Sequence, residues 1–354
     1  MKTSAETVFV GLSGGVDSSV AAKRLLDAGK KVVGVFIKTW QPEFLKCDWE
    51  KERLDAMRVA AHLGIPFYTC DGEEAYKTKV AEYMIEEYRQ GRTPNPDVMC
   101  NKHVKFGVFL EWALQNGADK VATGHYAQVE EKDGVYILKR GIDRSKDQSY
   151  FLWTLTQEQL SKTYFPIGDT AKEIIRKEAE RAGLLTFEKK DSQGICFLGD
   201  VDIPEFLSHY VQNETGHVLD EDGNSIGTHS GALMYTLGQR HGFEIINHNV
   251  ASAPHYIVSK DIEKNTITVS SKPQTLKHSL ELTQVETTIT NFPCTCEAQF
   301  RYRQQPFPVR IYSNGEKYTL EVLDTAVQKP SDGQSCVLYS DHDCLGGGII
   351  DAVQ

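Results

Sequence analysis

Three short stretches of the sequence hold residue types that could do chemistry. Residues 8–19 read VFVGLSGGVDSS, residues 93–105 read TPNPDVMCNKHVK, and residues 189–199 read KKDSQGICFLG. The first stretch combines glycines and hydroxyl groups ahead of an apolar helical pattern, which is typical of a loop that holds phosphate. The other two each place one cysteine near lysines, which favours thiolate chemistry.

The first stretch predicts a strand, a glycine turn and a helix that begins near Val16. The unpaired backbone N–H groups and the dipole of a helix N-terminus favour a bound anion, and serine hydroxyls add donors. Asp17 would repel phosphate unless a cation such as magnesium lies between them. The spacing excludes GxxxxGK[ST] and GxGxxG, and the missing lysine argues against transfer of a γ-phosphate. An ordinary glycine-rich turn is the alternative.

The two cysteine stretches are weaker signals on their own. Two prolines predict extended backbone before Cys100, and the nearby lysines, a histidine and a helix start near Val104 predict a lowered thiol pKa. A loop cysteine with solvated neighbours is the alternative. Cys196 has apolar neighbours, so a buried core cysteine is equally compatible with its sequence. The spacing of Cys100 and Cys196 in the sequence gives no indication that the two cysteines act as a pair.

Composition sets broad limits. The chain has 354 residues, 40% of them hydrophobic and 25% charged, with a formal net charge of −10. This size allows two or three domains, and the acidity argues against bulk adhesion to nucleic acid without excluding a local basic groove. Eight cysteines without a signal peptide or an apolar span favour a cytoplasmic protein without a disulfide framework or a membrane segment. We predict no metal site, since Cys294 and Cys296 lack a second pair at zinc spacing.

Strand patterns alternate with helical patterns in the first half of the chain. Strands are predicted at 31–38, 65–70 and 120–124, with helices between them, which indicates a parallel sheet covered by helices. A hairpin follows at 129–140, with its turn at Lys132-Asp133-Gly134. Short strands predominate after residue 205, and one of them is predicted at 297–302. The predicted fold is an α/β domain at 1–205, a small central α+β domain at 206–276 and a β-barrel-like domain at 277–354.

Longer motifs carry a family resemblance. SGGVDSS resembles the PP-loop of ATP pyrophosphatases, which belong to the adenine nucleotide alpha hydrolase-like fold. GRTPNPDVMCNKHVKFG, ATGHYA, GIDRSKDQSYFL, KKDSQGICFLG, TLGQR, RYRQ and GQSCVLY resemble the tRNA-specific 2-thiouridylase family (MnmA/TrmU). The matches extend over nearly the whole chain.

The resemblance implies a mechanism and its residues. ATP, expected with Mg²⁺, would adenylate the C2 oxygen of the wobble uridine in tRNAs for Lys, Glu and Gln. Cys196 would carry a persulfide, Cys100 would resolve it to a disulfide, and Asp97 would exchange protons. The ATP-binding set that the resemblance implies comprises Gly11, Leu12, Ser13, Gly14, Gly15, Val16, Asp17, Ser18, Ile37 and Gly124.

The resemblance also implies partners. A sulfur-relay protein or a cysteine desulfurase would donate the persulfide, and the protein is expected to be a monomer. Basic strips such as 139–146 would contact the tRNA backbone, although such runs are often merely solvated surface. The implied tRNA contacts are Asn95, Pro96, Asp97, His125, Lys146, Asp147, Gln148, Arg301, Tyr302 and Gln334.

Two other functions compete with this one. A PP-loop enzyme that transfers nitrogen to a small molecule would need neither Cys100 nor Cys196. An RNA-binding or redox-sensing protein would use the cysteines as a switch and leave the glycine loop unexplained. Dependence of a tRNA thiolation on ATP and on Cys196 separates the three functions.

Overall fold

The structure is a computed structural model, in which the chain forms two compact units. The first unit covers Met1–Glu82, Pro96–Asp200 and Tyr339–Gly346, and the second covers Tyr83–Asn95, Val201–Leu338 and Gly347–Gln354, each as far as it is described. The described residues are 5–44, 49–189, 203–211, 214–246, 254–276, 279–324 and 327–353.

The first unit is built on a five-stranded parallel sheet with the strand order β3-β2-β1-β4-β7. Valines, isoleucine and phenylalanine dominate the two central strands β1 and β2, which suits a sheet buried on both faces. The strands of this sheet are β1 (Thr7–Gly11), β2 (Lys31–Lys38), β3 (Phe67–Asp71), β4 (Lys120–Ala122) and β7 (Thr163–Tyr164).

Helices accompany the sheet in the first unit. The helix after β1 packs against the last helix of the unit, where Arg24 makes two hydrogen bonds to Glu178, at 2.9 and 2.7 Å. The α-helices are α1 (Val16–Asp27), α2 (Trp49–Leu63), α3 (Glu73–Tyr76), α4 (Glu82–Arg89), α5 (Pro96–Cys100), α6 (Phe109–Gln115), α7 (Gln157–Ser161) and α8 (Lys172–Arg181); α4 continues into the second unit. Two π-helical stretches (Lys77–Ala81 and Asn101–Val108) and a 3₁₀ turn (Ser149–Phe151) complete the set.

A β-hairpin follows β4. Its strands are β5 (Ala127–Lys132) and β6 (Val135–Arg140). Asp133 and Gly134 both have positive φ, at 51° and 78°, as a two-residue turn that matches the strand twist requires. The hairpin predicted at 129–140 is therefore confirmed, and its turn lies within the predicted segment Lys132-Asp133-Gly134.

The second unit contains a small mixed sheet after α9 (Ile203–Ser208), with the strand order β10-β9-β8-β12-β11. Only the pair β8–β12 is parallel. These strands are β8 (Gly216–Leu219), β9 (Ser225–His229), β10 (Phe243–Ile245), β11 (Tyr256–Asp261) and β12 (Thr266–Ser270), with a 3₁₀ turn at Ala232–Met234.

Six further strands form a barrel-like sheet with the order β13-β16-β15-β14-β17-β18, and an additional pairing of β13 with β18 closes it. The strands are β13 (Ser279–Thr287), β14 (Cys294–Gln299), β15 (Phe307–Ser313), β16 (Tyr318–Val322), β17 (Ser335–Ser340) and β18 (Asp343–Val353). The predicted fold class, a parallel α/β domain followed by a small central domain and a β-barrel-like domain, is confirmed.

Two local predictions were wrong. The prolines were expected to keep the stretch before Cys100 extended, but Pro96–Cys100 is helical. Proline is tolerated in the first turn of a helix, because an N–H at that position has no partner within the helix. A strand was expected over 297–302, but β14 ends at Gln299, and Arg303 has a φ of +62°.

Among the described residues, no helix has the length and apolar character that crossing a bilayer requires.

Candidate active site

The glycine loop lies between β1 and α1, at the carboxyl edge of the parallel sheet. Gly15 is the N-cap residue of α1 and, as a glycine, has no side chain that could cap the N–H groups of the first turn. The Ser18 hydroxyl accepts from the Ser13 N–H at 3.2 Å and donates to the Gly15 carbonyl at 3.3 Å, so the loop is held from inside. A helix start with uncapped donors is suited to binding an anion.

Gly14 is the point of the loop at which only glycine fits. Its φ is +69°, and a Cβ there would lie 2.8 Å from the Glu52 carbonyl oxygen and 2.9 Å from the Asp55 Cβ. The loop therefore packs directly on α2. Lys189 secures this contact, because its Nζ lies 3.2 Å from the Gly14 carbonyl oxygen and 3.1 Å from the Asp55 Oδ2.

The structure brings the other predicted ATP-binding residues to the same edge of the sheet. Gly11 ends β1, and a Cβ on it would lie 3.7 Å from the Cδ1 of Ile37 on β2. Gly124 follows β4, and a Cβ there would lie 2.6 Å from the Ser18 N. The first turn of α1 is thus pressed against the end of β4, which leaves room for glycine alone.

Asp17 has a cation partner that the sequence did not reveal. Its two carboxylate oxygens accept from the Lys172 Nζ at 2.7 and 2.8 Å, and the Tyr126 hydroxyl donates to Oδ1 at 2.7 Å. A magnesium ion was expected between this carboxylate and a phosphate. In the structure, the Lys172 ammonium contacts both oxygens of the carboxylate instead. No cluster of three or more metal-ligating side chains occurs in the part of the chain that the structure describes. Among the described residues, the side chains around Asp17 therefore do not form a magnesium site of their own.

Cys100 is the last residue of α5, and the second π-helical stretch begins directly after it. Its exposed fraction is only 1%, whereas Asp97 in the first turn of α5 is half-buried. The Asn101 side chain anchors this corner through a 3.0 Å hydrogen bond to the Phe151 carbonyl. In this conformation the Cys100 thiol is covered, so access to it requires a local rearrangement.

His125 is buried, although a tRNA contact was predicted for it. Its Nδ1 lies 2.6 Å from the Thr123 hydroxyl, its Nε2 lies 3.5 Å from the Lys105 Nζ, and its ring packs against Phe106 and Phe165. Burial and the Lys105 ammonium hold the pKa of His125 well below its usual value. The imidazole is therefore a neutral internal group at pH 7.

This neutrality predicts a loss of stability in acid. The unfolded chain takes up a proton below about pH 6.5 and the folded chain does not, so the stability present above that pH is lost as the pH falls. Between pH 7.5 and 5.0 the free energy of unfolding should fall by up to about 2 kcal/mol on this account. Urea unfolding at both pH values should show a smaller fall for His125→Asn than for the wild type. His342→Asn is the control, because the His342 side chain is 54% exposed; an equal fall in all three proteins would contradict this role.

The segment 146–148 also points inward in part. Asp147 is 7% exposed, and its carboxylate accepts from the Arg140 Nη1 at 3.1 Å and from the Gly141 and Ser149 N–H groups at 3.0 and 3.1 Å. The Gln148 Oε1 accepts from the backbone N–H of Tyr126 at 3.0 Å. The Asp147 side chain therefore supports the protein interior, whereas the Gln148 side chain is half-buried.

The other predicted tRNA contacts lie on several elements. Lys146 is half-buried and belongs to the first unit, as does Pro96, which is buried. Asn95, Arg301, Tyr302 and Gln334 belong to the second unit and are all half-buried. The Arg301 Nη2 donates to the Leu237 carbonyl at 2.8 Å. Cys196 lies outside the described residues.

Comparisons with known proteins cover nearly the whole chain. The tRNA methyl transferase HUP domain matches residues 6–200, the tRNA methyl transferase PRC-barrel domain matches 204–271, and the Aminomethyltransferase beta-barrel domain matches 274–350. Proteins named tRNA-specific 2-thiouridylase MnmA from Streptococcus uberis and Enterococcus faecalis are each 45% identical over 97% of this chain and 95% of their own length. The MnmA of Lactococcus lactis is 44% identical over 99% of this chain and 96% of its own length. The chain belongs to the tRNA-specific 2-thiouridylase family.

Membership of this family confirms the resemblance seen in the sequence motifs. The domain descriptions refer to methyl transferases, but the curated relatives that match nearly end to end are named thiouridylases. An end-to-end match weighs against the small-molecule amidation enzyme and against a non-enzymatic switch, because neither alternative predicts it.

Three residues that contact the glycine loop, Lys172, Tyr126 and Lys189, were assigned no role from the sequence. Lys172 is 155 positions from its partner Asp17, and Tyr126 is 109 positions away. Tyr126 lies in the motif ATGHYA and Lys189 lies in the motif KKDSQGICFLG, so these two residues belong to motifs that the sequence analysis identified. No signal in the sequence could have singled out Lys172.

Proposed function

We propose that this protein installs sulfur at C2 of the wobble uridine of tRNAs for Lys, Glu and Gln, in a reaction that consumes ATP. One observation carries the ATP-dependent part: the 11–18 loop leads into a helix N-terminus without a side-chain cap, at the carboxyl edge of a parallel sheet. The tRNA-dependent part is supported by the relatives' names.

In the first step the C2 oxygen of the uridine attacks the α-phosphorus of ATP, and pyrophosphate leaves. The base then carries AMP as a leaving group in place of a carbonyl oxygen, which is hard to displace. The N–H groups of the loop are suited to stabilise the charge that develops on the phosphates. Mg²⁺ bound to those phosphates would neutralise part of their charge.

In the second step sulfur replaces AMP. The terminal sulfur of a Cys196 persulfide attacks C2 and expels AMP, and the Cys100 thiolate then attacks the Cys196 sulfur. That attack breaks the S–S bond to the base, leaves C2 thiolated and forms a Cys100–Cys196 disulfide, which two electrons from a reductant reopen. In the variant of this route, Cys100 attacks first and the released hydrosulfide attacks C2.

Asp97 is proposed to exchange protons with the base or with the attacking sulfur. It is half-buried and lies three residues before Cys100, in the same short helix. Asn95 and Pro96 precede it in sequence, and this group is proposed to hold the target base once it has left the anticodon stack. The buried thiol of Cys100 implies that this helix must shift before the sulfur step.

The partners and domains follow the same proposal. A sulfur-relay protein or a cysteine desulfurase would load Cys196, and the protein would act as a monomer. The three matched sequence ranges support a division at 1–205, 206–276 and 277–354. The helix of residues 83–89 and the following stretch to Asn95 group with the second unit by contacts, although they lie in the sequence range of the first domain.

The test is a thiolation assay on unmodified tRNA transcript with the protein, Mg²⁺ and a persulfide donor, with and without ATP. Digestion and mass spectrometry should detect 2-thiouridine only when ATP is present. The same yield without ATP would rule out the adenylation step, and no product under any condition would rule out the tRNA substrate.

A further inference from the structure

Asp17 in the first turn of α1 forms a partly buried ion pair that the proposed chemistry does not use. Lys172 is 7% exposed, and its Nζ contacts both oxygens of Asp17 at 2.7 and 2.8 Å. The Tyr126 hydroxyl adds a 2.7 Å hydrogen bond to the same carboxylate, and its ring lies 5.5 Å from the Lys172 Nζ. Three side chains from separate parts of the chain thus meet at the helix start.

The position of Asp17 creates an electrostatic conflict. A carboxylate in the first turn of a helix is itself stabilised by the helix dipole, and it competes with a phosphate for the same positive end. It also repels a triphosphate over short distances. A fixed cation on the carboxylate removes both effects and leaves the backbone N–H groups available to the ligand.

The lysine and the tyrosine are themselves held in place. The Lys172 backbone N–H, at the start of α8, donates to the Asp143 Oδ2 at 3.1 Å. Tyr126 exchanges two hydrogen bonds with Gln148, one from its N–H to Oε1 at 3.0 Å and one to its carbonyl from the Gln148 N–H at 2.9 Å. The cation and the hydroxyl therefore reach Asp17 from supports that are independent of the loop.

We propose that Lys172 and Tyr126 are positioning residues that neutralise and orient Asp17, so that the 11–18 loop accepts the triphosphate of ATP. Lys172 acts through Asp17 and does not touch the nucleotide. This inference rests on the proposed ATP-dependent function.

The test compares ATP binding by isothermal titration calorimetry in single and double variants of the full chain. In Lys172→Met the Asp17 carboxylate has no counter-ion and repels the phosphates of ATP. The affinity of this variant for ATP should therefore fall by about tenfold or more. Lys172→Arg should stay close to the wild type, since it keeps the charge. Tyr126→Phe, which loses one donor and keeps the ring, should weaken binding by a few-fold.

The double variant Asp17→Asn with Lys172→Met decides how the lysine acts. With the carboxylate charge gone, the lysine has no charge left to neutralise, so the double variant should bind ATP about tenfold more tightly than Lys172→Met. The double variant contains no uncompensated buried charge, so it should fold even if Lys172→Met does not. Lys23→Met is the matched control, because Lys23 pairs with Asp27 on the exposed side of the same helix.

The outcomes separate the two proposals. A wild-type protein that binds no ATP would overturn both the proposed function and this inference. A wild type that binds ATP, with Lys172→Met binding equally well, would overturn only the role of Lys172. A double variant as weak as Lys172→Met would show that the lysine contacts the nucleotide directly, which also contradicts the inference.

Discussion

Cys196→Ser should abolish 2-thiouridine formation, with a fall of about three orders of magnitude or more, while ATP binding stays unchanged. A serine hydroxyl cannot carry the sulfur that is to be transferred, so no nucleophile reaches the activated C2. The loop that is proposed to hold ATP is formed by residues 11–18 and does not include this cysteine. Mass spectrometry of digested tRNA measures the product, and calorimetry measures ATP affinity in the same preparation.

Cys294→Ser is the matched control for this result. Cys294 is a partly exposed free thiol on β14, so its removal should leave the yield of 2-thiouridine unchanged. The fully covered Cys70 is less suitable, because burial raises the pKa of its thiol to about 11 and its replacement would disturb the sheet. Full activity in Cys196→Ser would contradict the persulfide route, and loss of activity in Cys294→Ser would show that thiol replacement in general is harmful.

Asp147→Ala should lower the free energy of unfolding by about 3–5 kcal/mol, because it leaves the Arg140 guanidinium buried without its carboxylate. The two side chains are 7% and 5% exposed, and the Arg140 guanidinium also lies 3.4 Å from the centre of the Tyr339 ring. Removal of Asp147 additionally leaves the N–H groups of Gly141 and Ser149 without their acceptor. A replacement that kept an acceptor, Asp147→Asn, should cost less.

Tryptophan fluorescence during urea unfolding measures this loss selectively. All four tryptophans (Trp40, Trp49, Trp112 and Trp153) belong to the unit that contains Asp147. Asp27→Ala removes an exposed pair, in which the Lys23 and Asp27 side chains are 37% and 62% exposed, and should change stability by less than about 1 kcal/mol. Equal urea midpoints for Asp147→Ala and Asp27→Ala would contradict a stabilising role of the buried Asp147 carboxylate.

The local patterns of the sequence predicted much of the fold. The predicted strand at 31–38 matches β2 residue for residue, because its β-branched and aromatic run is bounded by turn signals. The hairpin turn was predicted at Lys132-Asp133-Gly134, and the structure has it at Asp133 and Gly134, residue types that tolerate positive φ. The glycine loop was also placed correctly between β1 and α1, because the strand, the turn residues and the helical pattern follow one another directly.

The side-chain environments could not be predicted in the same way. Asp147 and His125 are polar residues in motifs that resemble RNA contacts, and nothing local indicates that both side chains are buried. The pairing of Asp17 with Lys172 joins two helices through tertiary packing, which sequence separation does not encode. The helix at Pro96–Cys100 was not predicted, because proline disrupts the interior of a helix. Pro96 is the first residue of this helix, and proline is tolerated in the first turn.

The most direct test of the central claim is the ratio of AMP released to 2-thiouridine formed in a single turnover. Protein with a preloaded persulfide is mixed with unmodified tRNA and ATP labelled at the α-phosphate, and both products are counted over time. The account predicts one AMP for each 2-thiouridine, together with pyrophosphate and without ADP. Formation of ADP, or 2-thiouridine that accumulates without AMP, would contradict it.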